Sequence, residues 1–176
     1  MTSYDFTLRL DRTSYLNDAE IDAAYEATGG DADVTDGPNG VSVSFNREAA
    51  SLAAALSSAV GDLARIGLRA VGVVQDDEVT LRDIAARTGR SYEAVRMWAA
   101  GKRAGEFPAP HFTTSGGERL WSWTRVAAWL RDRLSIEVSA TPHELVAADR
   151  ILAAAEALRT EPADTRSELE KLFTAA

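Results

Sequence analysis

The stretch "GRSYEAVRMWAAGKRAGEFPAP", Gly89 to Pro110, decides how the chain reads. It opens as a tight turn into a helix and closes as a basic, proline-broken loop. Gly89 accepts the positive φ of a sharp turn at little steric cost. Ser91 then caps a helix over "YEAVRMWAA", which Gly101 ends. Val95 and Trp98 stand three apart and mark the inner face, which leaves Tyr92, Glu93 and Arg96 pointing outward. Arg90, Arg96, Lys102 and Arg103 gather here although the chain has a formal net charge of −8.

Upstream, Thr80 precedes "LRDIAARTG" with Asp83 three residues on, the pattern of a capping box. Leu81, Ile84 and Ala85 form the apolar side of a short helix that stops at Thr88-Gly89, and the small Ala85 allows a second helix to come close. With Ala85, Gly89, Val95 and Trp98 at these spacings, the segment resembles a helix-turn-helix. In that motif the second helix lies in the major groove with its N-terminal half against base edges. The resemblance therefore implies Ser91, Tyr92, Glu93 and Arg96 as base readers. Arginine suits guanine O6 and N7, and glutamate accepts from cytosine N4.

Downstream, "AGKRAGEFPAPHFTTSGGERLWSWTRVAAWLRDRL" has a Phe107-Pro108-Ala109-Pro110 entry. Two short strands follow, expected at His111–Thr114 and Arg119–Trp123 around Ser115-Gly116-Gly117-Glu118. Thr124 is expected to cap a closing helix with Val126, Trp129 and Leu130 inward, and Trp121 and Trp123 are read as core. This resembles the second half of MerR-type and excisionase-like winged helix domains. It also resembles a group of bacterial proteins from high-GC genomes that carry an acidic βαββαβ domain ahead of such a unit. The resemblance implies that Thr80, Arg90, Lys102, Arg103 and Arg119 face the DNA backbone, where they add affinity without sequence choice. Tyr92 and Glu93 depart from the smaller or more basic residues expected at a reading edge.

Charge is distributed unevenly. Residues 1–77 hold 5 basic and 13 acidic residues, residues 78–135 hold 10 and 6, and residues 136–176 hold 4 and 8. A basic middle between acidic ends fits a nucleic-acid module inside an otherwise acidic protein, whose remainder discourages binding to random DNA.

Toward the N-terminus, Tyr4, Phe6, Leu8 and Leu10 alternate with polar residues, which predicts a strand. A helix follows from Asn17 or Asp18 to Gly29-Gly30, with Ile21, Ala24 and Tyr25 on one face. Two strands are expected around Gly37-Pro38-Asn39-Gly40, with Val41, Val43 and Phe45 inward. A long helix capped by Asn46 carries Leu52, Leu56, Ala59, Val60 and Leu63, and "LRAVGVV" is the last strand. The order β-α-β-β-α-β suggests a ferredoxin-like domain. The fold class expected is α+β: a ferredoxin-like domain over 1–77, a winged helix-turn-helix over 78–135 and a C-terminal helical segment over 136–176. In that last segment Thr141-Pro142-His143-Glu144 opens a helix to about Thr160. It carries Leu145, Ala148, Ile151, Leu152, Ala155 and Leu158, and "SELEKLF" adds a turn or two.

The chain has no cysteine, which excludes disulfides and thiolate metal sites. His111 and His143 are the only histidines, too few and too far apart for a zinc site. No G-x-S-x-G elbow occurs, and Asp76-Asp77-Glu78 reads as a solvated hinge. No enzyme, cofactor or membrane span is expected. The function expected is a sequence-specific double-stranded DNA-binding regulator, cytoplasmic and nucleoid-associated, acting as a homodimer. Two alternatives stand beside it. One is an antitoxin-like or adaptor protein using the acidic N-terminal domain to hold a protein partner. The other is an excisionase-like factor that bends DNA.

Overall fold

The computed structural model describes residues 1–37 and 40–175. The fold is mixed α+β, with seven helices and two antiparallel sheets among the described residues. The chain divides into two compact units. One comprises Met1–Val74 together with the residues from Glu144 on, and the other Gln75–His143. The segment 136–176 is thus shared between them.

In the first unit the elements are β1 (Thr2–Leu10), α1 (Asp18–Thr28), β2 (Ala32–Gly37), β3 (Gly40–Ala49), α2 (Leu52–Arg65) and β4 (Ala70–Val73). The strands lie in the order β2-β3-β1-β4, every neighbour antiparallel. The period-two pattern sets the register. Phe6 pairs with Phe45 and Leu8 with Val43, so both apolar sets reach one face. Phe6 and Phe45 stack with ring centroids 5.2 Å apart. Ala24 of α1 and Ala55, Leu56, Ala59 and Leu63 of α2 join these residues in one core. The turn expected at Pro38 and Asn39 lies outside the described residues.

Two local expectations are corrected. Ile21 and Tyr25 are exposed, and α1 buries only Ala24 and Thr28. Asn46 does not cap α2. It sits within β3 opposite Asp5, where its amide donates to Asp5 Oδ1 (2.6 Å) and its carbonyl accepts from the Ser3 hydroxyl (2.8 Å). Sheet pairing carries β3 on to Ala49, so the cap passes to Ser51, whose hydroxyl accepts from Ala54 N–H at 3.2 Å.

Arg47 is the charged centre of this unit. It is buried beneath α2, with Nε and Nη2 donating to the two oxygens of Asp31 (2.7 and 2.9 Å). Its Nη1 meets Ser58 Oγ at 2.9 Å and Asp62 Oδ2 at 2.7 Å. The guanidinium lies 5.0 Å from the Phe45 ring centroid. The hydrogen bonds to Asp31 hold Arg47 above its ordinary value, against the opposing effect of burial.

The helix α6 (His143–Thr160) closes the free edge of β4 from Glu144 onward. Leu145, Ala148 and Leu152 pack on the core, while Ile151 faces solvent. Asp149 Oδ1 accepts from the Val73 N–H at 2.9 Å, an edge group that no strand pairs, and also from Arg9 Nη2 at 3.0 Å. Gly72 makes room for this, since a Cβ there would collide with Arg9 and come within 2.7 Å of Asp149. Beyond Pro162 the helix α7 (Ala163–Ala175) is longer than the turn or two expected. Arg166 reaches back to the carbonyls of Leu158 (3.0 Å), Arg159 (3.2 Å) and Glu161 (3.0 Å), covering the negative end of α6.

The second unit contains β5 (Glu78–Val79), α3 (Leu81–Thr88), α4 (Tyr92–Ala99), β6 (Phe112–Thr113), β7 (Arg119–Ser122) and α5 (Trp123–Leu134). Its sheet runs β5-β7-β6, antiparallel throughout. Val79, Ile84, Val95, Val126 and Leu130 are fully buried. Trp129 packs against Trp98 (5.7 Å) and edge-on to Phe107 (4.9 Å). Trp121 and Trp123 are buried, and each indole N–H has an acceptor, the carbonyls of Pro108 (3.0 Å) and Ser139 (2.8 Å).

Asp77 is no solvated hinge residue: it is 1% exposed. Its carbonyl accepts from Trp123 N–H (2.6 Å) and its carboxylate from Thr124 N–H (2.7 Å). These bonds satisfy donors that the first turn of a helix leaves open. The helix α5 accordingly starts earlier than expected, with Ser122 as N-cap in place of Thr124. No helix among the described residues is long and apolar enough to cross a membrane.

Candidate nucleic-acid interface

The geometry of α3 and α4 follows from their caps. Thr80 and Asp83 form a reciprocal capping box, and Gly89 ends α3 in the left-handed region at φ 63°. Ser91 then accepts from Ala94 N–H at 3.2 Å and starts α4 two residues later. Ile84 and Ala85 on one helix and Val95 and Trp98 on the other are buried in the same core. The opposite side of α4 is thereby fixed outward, and Ser91, Tyr92, Glu93 and Arg96 are all exposed along it.

Glu93 and Arg96 hold each other on that face. Arg96 Nε donates to Oε2 at 2.9 Å and Nη2 to Oε1 at 2.7 Å, a bidentate pair one helical turn apart. The Arg96 hydrogen bonds, with Lys102 adding a weaker field, draw the Glu93 carboxyl below its ordinary value. The same carboxylate raises Arg96. The base-reading arginine expected from the sequence is therefore already partnered along one edge of its guanidinium. Its Nη1 has no hydrogen-bond partner among the described residues.

Cations flank both ends of α4. Arg90 precedes it, and Lys102 and Arg103 follow it in a loop turned by the left-handed residues Gly101, Ala104 and Gly105. All three cations are exposed and have no ion-pair partner within 4 Å among the described residues. Arg119 projects from β7 with its guanidinium carbon 5.5 Å from the Trp121 ring centroid.

No motif in the sequence marks Arg82. Its guanidinium carbon lies 5.8 Å from the Tyr92 ring centroid. Arg82, Tyr92, Arg119, Trp121 and the Gly116-Gly117 turn line one concave groove of about 350 Å³. Two arginines laid on aromatic rings keep their N–H edges available at its rim. A signal was present: Arg82 follows the acidic run 76–78 by four positions and is exposed where Leu81 and Ile84 are buried. It could not be placed beside Arg119 without knowing how β7 folds back.

One expected contributor, Thr80, is committed elsewhere. The Thr80 hydroxyl donates to Asp83 Oδ2 (2.7 Å) and accepts from Asp83 N–H (3.2 Å), so it serves the cap. The Thr80 backbone N–H, donating to Asp83 Oδ2 at 2.8 Å, and then the Thr80 hydroxyl hold the Asp83 carboxyl below its ordinary value. Arg87 is tied to Asp76 and lies over the Trp123 ring at 5.0 Å. With Asp76, Asp77 and Glu137 inside its bounds, the second unit has ten basic and nine acidic residues and is close to neutral as a whole.

Among the described residues no group of three or more histidine or acidic side chains is placed to hold a metal ion. Compared with models of protein families, with curated proteins and with solved structures, the chain matches none.

Proposed function

We propose that residues 75–143 form a winged helix-turn-helix that binds double-stranded DNA in a sequence-dependent manner, and that the protein is a transcriptional regulator. The observation that carries this reading is the outward face of α4. It is held rigidly by a buried core and bears a bidentate-capable arginine, with Arg90, Lys102, Arg103, Arg82 and Arg119 around it. In the major groove, Arg96 and Glu93 would meet base edges while the flanking cations neutralise phosphates. The β6-β7 hairpin with its Gly116-Gly117 turn supplies the wing, which supports the resemblance to MerR-type and excisionase-like proteins. The strand order β2-β3-β1-β4 with two crossover helices likewise supports a ferredoxin-like reading of the N-terminal unit.

One such unit reads only a few base pairs, too few to find one address in a genome, so the acting form is a homodimer on paired half-sites. The test is an anisotropy titration of the full chain with duplex DNA at several salt concentrations. Contact with about 3–5 phosphates per subunit gives a slope of log K on log salt near −3 to −4.5. A flat response refutes the reading.

A second reading is favoured by a different surface. Leu169, Leu172 and Phe173 share one side of α7 and are exposed, in a unit that holds nine basic and eighteen acidic residues. An adaptor or antitoxin-like protein would use such a side to hold a partner. Stoichiometric co-purification of a second protein, with no DNA binding by the full chain, would establish it instead.

A further inference from the structure

We infer that Glu93 is a positioning residue that sets specificity: it aims Arg96 at one base pair and withholds it from phosphates. This rests on the DNA-binding reading above. A guanidinium offers five N–H donors on three sides. Glu93 occupies the side formed by Nε and Nη2, at 2.9 and 2.7 Å. The side left open is the end formed by Nη1 and the second hydrogen of Nη2. Two parallel donors there match guanine O6 and N7. The pair therefore does not block reading. It fixes the plane and direction of a long side chain that would otherwise sample many rotamers, and so removes part of the ordering loss on binding.

The same carboxylate opposes any other use of Arg96. A phosphate can reach the same open end of Arg96, but it brings a negative charge close to the Glu93 carboxylate, whereas a guanine edge is neutral and meets no such repulsion. Lys102 adds attraction to this corner, since its charge reaches Glu93, but it makes no ion pair there within 4 Å. Glu106 lies in the same basic segment and makes no ion pair among the described residues, which makes it a natural control for a charge change alone.

The experiment uses the full chain, a duplex recovered by selection from a random pool, and a random-sequence duplex of equal length. Glu93→Gln keeps an acceptor and removes the charge, and Glu93→Ala removes both. For Glu93→Ala the selected duplex should bind about 3- to 10-fold more weakly, and the random duplex about 3- to 10-fold more tightly with a slope steeper by about 1. The preference for guanine at a single position should relax. Glu93→Gln should fall between, and Glu106→Gln should shift both duplexes equally. An equal change on both duplexes for the Glu93 variants would make Glu93 a plain repulsive charge and overturn the inference, as would no change at all. Nuclear magnetic resonance of the Arg96 Nε–H gives a readout independent of DNA. Its resonance should be protected from exchange in the wild type and lose that protection in Glu93→Ala. Absence of protection in the wild type also overturns the inference. If the wild type binds neither duplex, the DNA-binding reading itself fails, and that outcome is distinct from the others.

Discussion

Replacing Arg47 with alanine should be among the most damaging single changes in the N-terminal unit. The side chain is 8% exposed and makes contacts of 2.7–2.9 Å with two carboxylates and a hydroxyl. Removing one partner of a buried ion pair typically costs about 3–5 kcal/mol, because the remaining charge stays desolvated. Here the side chains left behind, Asp31 and Asp62, are 26% and 19% exposed and can recruit water. That places the expected loss for Arg47→Ala near the lower end, about 3 kcal/mol, part of it from the lost contact of the guanidinium with the Phe45 ring. Arg47→Met keeps the stem and should lose about 2 kcal/mol, with Asp31→Asn and Asp62→Asn added to it restoring about half.

The assay is urea unfolding of the full chain followed by far-ultraviolet circular dichroism and by tryptophan fluorescence. All four tryptophans lie in the second unit, so fluorescence reports that unit and dichroism reports both. The loss should appear in the dichroism component that fluorescence does not follow. The pH dependence has a definite sign. Arg47 is raised in the folded protein, so its contribution is complete below the ordinary arginine value and fades only above it. Between pH 6 and 10 the difference between wild type and Arg47→Ala should therefore be flat as far as Arg47's own titration is concerned. A loss under about 1 kcal/mol, or no coupling between Arg47 and Asp62 in a double-mutant cycle, would refute the argument.

Asp77→Ala removes the acceptor for Thr124 N–H and should destabilise the second unit by about 1.5–3 kcal/mol, read as an earlier fluorescence midpoint in urea. Asp83 is lowered by its bonds to Thr80. Its contribution is present above the ordinary value of 3.8 and is lost as pH falls through the folded value, so Asp83→Asn should flatten the decline in stability of the second unit below about pH 4. Asp149→Ala exposes the edge of β4, and hydrogen exchange at the Val73 amide should quicken by about 10-fold or more. Unchanged protection there would mean that α6 does not guard the edge.

Much of the fold was legible in local chemistry. The alternation in Phe6, Leu8 and Leu10 and in Val41, Val43 and Phe45 sets two strands whatever surrounds them, because a one-residue slip would turn every apolar group to water. Thr80, Asp83, Gly89 and Ser91 mark the ends of α3 and α4 for the same kind of reason: each cap uses only neighbours within four residues. Where a local preference fails, a longer-range bond outweighs it. Asn46 looked like a cap, but pairing with Asp5 drew it into a strand. Asp77 looked solvated, but a helix start some 45 residues later required its oxygens.

Long-range partners were not legible at all. The sequence by itself determined the two apolar periods, the caps and the acidic–basic–acidic division, all properties of residues close in the chain. Tertiary structure alone decided that Arg47 would collect Asp31 and Asp62, that Asp149 would cap β4, and that Arg82 would share a groove with Arg119. Those pairings join residues from 15 to 76 positions apart. Which of many similar aspartates and arginines meet is set by how the sheets fold back, and no local pattern encodes that.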